Sequence, residues 1–246
     1  MSWNKRILKS PGTWMAITIM LLCYFSASVE LWNSSITEPV LAYRPSALIY
    51  SLEPILFGGV ILVFPFCACL PVALQRSKEA VENGHKGRNV IHAFVAGGTV
   101  VMLPFVGHTV LWNIIALPVN PAMYESHRLQ FYGLLNEIYD VCYGVPVYCI
   151  FAAGMFLCGG VYAVMYLVAS AKLRDTVVAF VSPTLFYFGW LKLSTYCYEL
   201  QVPAPVDLFN EGLTIRNGLV LVFIYMCILV LCTGLYSSAQ RKVRES

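Results

Sequence analysis

The sequence predicts an all-α integral membrane protein of six transmembrane helices, with both termini on one side of the bilayer. Three observations carry that prediction. Of the 246 residues, 59% are hydrophobic and only 12% charged, about half the charged share of a soluble domain. The apolar residues fall in repeated continuous runs close to the ~20 residues that a helix needs to cross a bilayer, without the alternation of a transmembrane barrel. Finally, the basic residues gather in every second segment between those runs, as the positive-inside rule requires.

Taken in order, the spans cover approximately 13–32, 52–74, 90–117, 141–171, 176–198 and 219–235, within a single transmembrane domain of residues 1–246. Ahead of the first span, SWNKRILKSP sets Trp3 and Ile7 four residues apart among Lys5, Arg6 and Lys9. That pattern suits a short interfacial helix, with Pro11 at the turn into the membrane. Ser26-Ala27-Ser28 has the small-residue spacing of a signal cleavage site, the competing reading of this run; the reading adopted is a retained helix. Asn33-Ser34-Ser35 matches a glycosylation sequon, a match frequent by chance. Gly97-Gly98 and Gly159-Gly160 read as packing positions, where small residues let helices approach closely.

Span five is expected to begin near Thr176 and to be broken by Pro183. From Pro183 to Asn217 the chain is aromatic and apolar, yet Lys192, Glu199, Pro203 and Pro205 interrupt it. Two readings stand here. One is a broken or re-entrant hairpin with protein-buried backbone; the other is a helix ending near Tyr198 in an aromatic belt, followed by a loop.

Charge fixes the expected orientation. Twelve of the 16 basic residues lie on one side: Lys5, Arg6 and Lys9; Arg76, Lys78, Lys86 and Arg88; Lys172 and Arg174; Arg241, Lys242 and Arg244. The other side holds four bases and nine of the 13 acids. Both termini and the 75–90 loop are therefore expected in the cytoplasm of a multi-pass, plasma-membrane protein. The nine cysteines sit mostly inside apolar runs and read as small hydrophobes. The pair Cys67 and Cys69 lacks further ligands nearby, and Cys142 and Cys197 are placed to pair if their membrane face is oxidising.

The net charge of +3 is too small to point to nucleic acid. The chain has no GxxxxGK[ST] phosphate loop, no HExxH and no GxSxG, so it lacks the usual machinery for ATP hydrolysis, zinc chemistry or acyl transfer. No cofactor, metal site or catalytic residue is expected in this chain. Ionisable groups inside membranes mark transport paths, and the few here are Glu53, His108, Glu137, Asp140 and Lys192, mostly near the outer ends. His108, Lys192 and Glu199 are the candidates for a pathway or re-entrant region.

The stretch Gln75 to Val90, QRSKEAVENGHKGRNV, is the longest run without an apolar block in the first two-thirds of the chain. Val72 to Glu82 can continue as helix below the membrane, with Lys78 and Glu82 one turn apart and Gly84 as a stop. Gly87 and Asn89 then suit the start of the next helix, Asn89 as its cap.

This arrangement resembles the membrane subunits of ABC-2 type exporters, in particular the small Firmicutes permeases. SWNKRILKSPGTWMAI is similar to their basic elbow helix running into span one. LFGGVILVFPFCACLPVALQ resembles their glycine- and proline-marked span two. QRSKEAVENGHKGRN sits where their coupling helix lies, and Gly84 to Arg88 approximates the segment leading into span three. PTLFYFGWLKLSTYCYEL sits where their re-entrant helices fall. The resemblance spans the whole chain and rests chiefly on topology. It implies a second permease subunit, identical or related, and a pair of ABC ATPase subunits that carry ATP and magnesium. Arg76, Lys78, Glu79, Glu82 and Arg88 would form the ATPase-coupling contact. Substrates in the family include lantibiotics and other antimicrobial peptides, drugs and lipids, so the implied role is export of a hydrophobic or amphipathic molecule.

Two other classes compete. One is a membrane scaffold or regulator whose loop binds a different cytoplasmic partner. The other is an integral-membrane enzyme or haem protein using His92 or His108. These histidines are 16 residues apart on one span, whereas a transmembrane haem is more naturally held between facing helices. The purified protein is accordingly expected to show no Soret band in its absorption spectrum, and a band there would establish the haem reading.

Overall fold

Six α-helices, each antiparallel to the one before it, make up the computed structural model, which describes residues 10–37, 60–79, 86–115, 145–173, 175–196, 203 and 215–245. They are α1 (Pro11–Thr37), α2 (Val60–Glu79), α3 (Lys86–Ile115), α4 (Val145–Lys172), α5 (Thr176–Tyr196) and α6 (Ile215–Glu245). There is no strand among the described residues. Asn89–Leu111, Tyr148–Lys172, Thr176–Tyr196 and Arg216–Ala239 are long and apolar enough to cross a membrane, and α1 and α2 add the shorter apolar stretches Pro11–Ser26 and Val63–Leu74. A membrane-helical protein is the class that these elements define.

Local chemistry sets several helix boundaries. Pro11 occupies the first position of α1, where its missing N–H has no partner to lose, and the Ser10 carbonyl accepts from Thr13 N at 3.1 Å. Between α4 and α5 lie only residues 173–175. Asp175 caps α5: its Oδ1 accepts from the backbone N–H of Val177 at 2.8 Å and of Val178 at 3.3 Å, satisfying donors that the first turn leaves open. Lys172 closes α4, a favourable place for a cation beside the helix dipole.

The expected break at Pro183 does not occur; α5 runs unbroken from Thr176 to Tyr196 with Pro183 inside it. Proline removes the N–H that would have bonded the carbonyl four residues back, here that of Ala179. The neighbouring Ser182 hydroxyl donates to that same Ala179 carbonyl at 2.8 Å. A side chain thus replaces the lost backbone bond, as a helix in an apolar medium requires. Residues 183–196 of the region read as either hairpin or helix are therefore helix.

A second correction concerns Asn89. It does not cap α3, which already starts at Lys86; its side-chain Nδ2 instead donates to the Tyr236 hydroxyl on α6 at 3.4 Å. The continuation of span two as helix into the charged segment, by contrast, is what the structure shows through Glu79, the last described residue of α2. Glu82 and Gly84 lie outside the described residues, as do residues 1–9, where an interfacial helix was expected, and Cys142, Cys197 and Glu199.

The closest packing lies between α3 and α4, where four glycines meet. A Cβ on Gly97 would lie 2.5 Å from the Gly159 carbonyl oxygen, and one on Gly159 would lie 2.7 Å from the Gly97 carbonyl oxygen. The flanking pair is reciprocal. Phe156 lies over Gly98 and Phe94 over Gly160, and the two rings meet edge-to-face at 5.5 Å, a favourable aromatic geometry. The packing expected of these glycines is what the helices show.

Gly159→Ala should therefore lower stability by about 1–3 kcal/mol, the usual cost of overpacking. Nothing lies within 4 Å of a Cβ built on Gly107, so Gly107→Ala should be neutral or stabilising by up to about 1 kcal/mol. Thermal unfolding of both variants in detergent micelles checks the contrast.

Candidate functional site

The antiparallel order carries the charged segments to one end of the bundle. Gly12, at the start of α1, packs on the Leu70 carbonyl and Leu74 near the end of α2. At the start of α3, Asn89 meets Tyr236 near the end of α6. The short Asp175 turn joins the end of α4 to the start of α5, and Phe180 beyond it packs on Phe66 of α2 at 4.3 Å and on Tyr166 of α4 at 5.8 Å. The helix segments that carry Arg76, Lys78 and Glu79 (end of α2), Arg88 (start of α3), Lys172 (end of α4) and Arg241, Lys242 and Arg244 (end of α6) thus lie at one end of the bundle. Of the five residues expected to contact a partner, four are in those segments: Arg76, Lys78, Glu79 and Arg88. Lys172 and Asp175 are exposed there.

His108 and Lys192 lie toward the other end and do not share a site. His108 is buried on α3 and stacks on the Tyr24 ring of α1 at 5.1 Å, with 24° between the planes. Lys192 is exposed on α5, on the outward side that also carries Leu185, Gly189 and Tyr196. It is one turn from the helix end, within reach of an interface for a side chain that buries its stem and extends its ammonium toward water. His92 is half-buried near the start of α3, about 24 Å from His108 along the helix. Among the described residues no three His, Cys, Asp or Glu side chains group as a metal site.

The interior is filled by aromatic side chains, with Tyr24, Phe105, Phe151, Tyr162, Tyr166 and Tyr225 all fully buried. At its centre the Tyr162 and Tyr225 hydroxyls lie 3.3 Å apart across α4 and α6. Phe64 of α2 and Tyr187 of α5 approach Tyr162 edge-on at 6.1 and 6.4 Å. Trp190 of α5 covers Tyr225 at 5.2 Å. Its indole N–H donates to the carbonyl of the buried Pro203 at 3.1 Å. Buried thiols complete the lining: Cys69 Sγ lies 3.6 Å from the Tyr162 carbonyl, and Cys67 and Cys158 are enclosed in the same core. Cys149 and Cys227, by contrast, are exposed on the helix surfaces.

This centre was missed from sequence. Tyr225 and Tyr236 are eleven residues apart on α6, three helical turns, so they share a face; that spacing was the available signal. The Asp175 cap also had one, an aspartate directly before the apolar start of α5.

Comparison with protein families, curated proteins and solved structures gives no match for this chain.

Trp190→Phe keeps a ring against Tyr225 and removes the bond to Pro203. It should cost about 1 kcal/mol, the net worth of one buried hydrogen bond, measurable by denaturant unfolding in mixed micelles.

Proposed function

We propose that this chain is the membrane-spanning permease subunit of an ATP-driven ABC exporter. The observation that carries the reading is the convergence of α2, α3, α4 and α6 on one basic end, with Arg76, Lys78, Glu79 and Arg88 on adjoining helix ends. A chain without a phosphate loop needs a motor from outside, and a charged face of this kind is a place to attach one. Charge pairs across such a contact set docking rate and register. In this reading all six helices cross the plasma membrane, residues 1–9 form an interfacial elbow, and both termini and the basic end lie in the cytoplasm. ABC ATPase subunits, holding ATP and magnesium, close on that end and tilt α2 and α3.

The filled aromatic interior supports a second subunit. With Tyr162, Phe151 and Tyr225 closing the axis, a route for substrate runs along an outer face of the bundle, against an identical or related permease. The exposed surface of α5 and α6 is apolar, with Leu185, Leu193, Leu219, Phe223 and Val230 among its residues. It suits lipid and a hydrophobic or amphipathic substrate such as a peptide antibiotic, drug or lipid.

Affinity purification of the full chain from its native membranes should capture an ATPase with Walker motifs. Arg76→Glu with Lys78→Glu should weaken that capture by about tenfold or more, the scale on which like-charge contacts act, and should lower the ATPase rate of the complex. A stable assembly lacking any ATPase would sink the exporter reading and leave the chain as a scaffold for another cytoplasmic partner.

A further inference from the structure

We propose that α6 is a rigid lever that pivots on the Tyr162–Tyr225 hydroxyl pair and is held at its basic end by the Asn89–Tyr236 bond. The lever itself is read from the packing; that a partner moves its lower end rests on the docking reading above.

Three features of α6 set it apart. First, it runs 31 residues with no proline inside it, whereas α2, α3 and α5 each contain at least one. A helix without an internal proline lacks the commonest cause of a kink and can move as one rod. Second, it is thinly attached: 17% of its spanning window is buried, against 67% for α4. Its buried residues, Leu221, Tyr225, Cys232 and Tyr236, form one narrow stripe, flanked by the half-buried Ile224, Ile228 and Leu229, while Val222, Phe223, Met226, Val230 and Leu231 are exposed. Apolar burial supplies little drive between helices in lipid, so packing and interhelical hydrogen bonds decide how firmly a helix is held.

Third, two polar contacts fall on that stripe. Tyr225 meets Tyr162 of α4 at 3.3 Å near the middle, with Trp190 of α5 covering its ring at 5.2 Å. Tyr236 accepts from Asn89 of α3 at 3.4 Å near the basic end. Tyr225 is the better-anchored point, enclosed on two sides, and serves as the fulcrum. Tyr236 lies about 16 Å below it and Arg216 about 13 Å above. Asn89 directly follows Arg88, so displacement of the start of α3 acts first on the lower arm. A rod pivoting between these points returns nearly the same displacement, in the opposite sense, at the start of α6.

The test reads the far end while perturbing the near one. Spin labels are attached through genetically encoded non-natural amino acids at the exposed positions Tyr196 and Arg216, at the ends of α5 and α6 away from the basic end, leaving the core cysteines in place, and the chain is reconstituted in lipid nanodiscs. Double electron–electron resonance then gives the 196–216 distance distribution. Asn89→Ala and Tyr236→Phe, made separately, should each shift or broaden it by about 2 Å or more, the range of functional helix displacements. Leu231→Ala, on the exposed face of α6, should leave it unchanged. If neither Asn89→Ala nor Tyr236→Phe alters the distribution, or if Leu231→Ala alters it equally, the lever is wrong. Tyr236→Phe removes a single oxygen, so it keeps the test usable if Asn89→Ala fails to fold. The chain is measured alone, so failure here leaves ATPase capture untouched as the separate test of docking.

Discussion

The contact between α3 and α4 is the constraint on which the rest of the bundle depends. Two backbones approach until the Gly97 and Gly159 carbonyls occupy the space that side chains would need. In a lipid environment such close approach is a principal source of helix association, because apolar surface is equally content against acyl chains. With α4 drawn against α3, its other faces are free to receive α2, α5 and α6. Tyr162 meets all three, through Phe64, Tyr187 and Tyr225. α4 is consequently the most buried of the spanning helices, and the others are arranged around it.

The same geometry separates two kinds of polar group. Among the described residues, Lys172, Asp175, Lys192 and Arg216 are exposed at or near helix ends, while the interior holds tyrosine hydroxyls, an indole and serine hydroxyls that bond one another or backbone carbonyls, with His108 as its one buried titratable imidazole. Ionisable side chains inside a membrane are expensive and mark function. A core built from neutral donors avoids that cost and still fixes which helix faces meet.

Much of the fold was legible because helix length and apolarity are local. The runs at 90–117, 141–171 and 176–198 became α3, α4 and α5 with ends displaced by a few residues, and charge counting grouped the helix ends that the bundle brings together. What failed were inferences about single residues whose partners are distant or were overlooked. Pro183 was read without Ser182 beside it, although the serine hydroxyl supplies the missing bond. Asn89 was read as a local cap, but its partner Tyr236 is 147 residues away. The Tyr162–Tyr225 pair and the Trp190–Pro203 bond likewise depend on tertiary placement: the spacing of Tyr225 and Tyr236 marks one face of α6, but not the partners that meet it. Glycine packing was legible in kind, since small residues favour close approach, but which glycines meet was not: Gly97 and Gly159 touch, while Gly107 faces open space.

Ser182 and Pro183 form a two-residue unit with a consequence for how this helix tolerates change. The proline leaves the Ala179 carbonyl bare, and the serine covers it at 2.8 Å. Losing the serine alone would strand an acceptor inside the bilayer; losing the proline alone would only give that carbonyl a second donor, which its two lone pairs can accept. The serine is needed while the proline is there and not otherwise, so a chain drifting in sequence crosses this point most easily by losing the proline first.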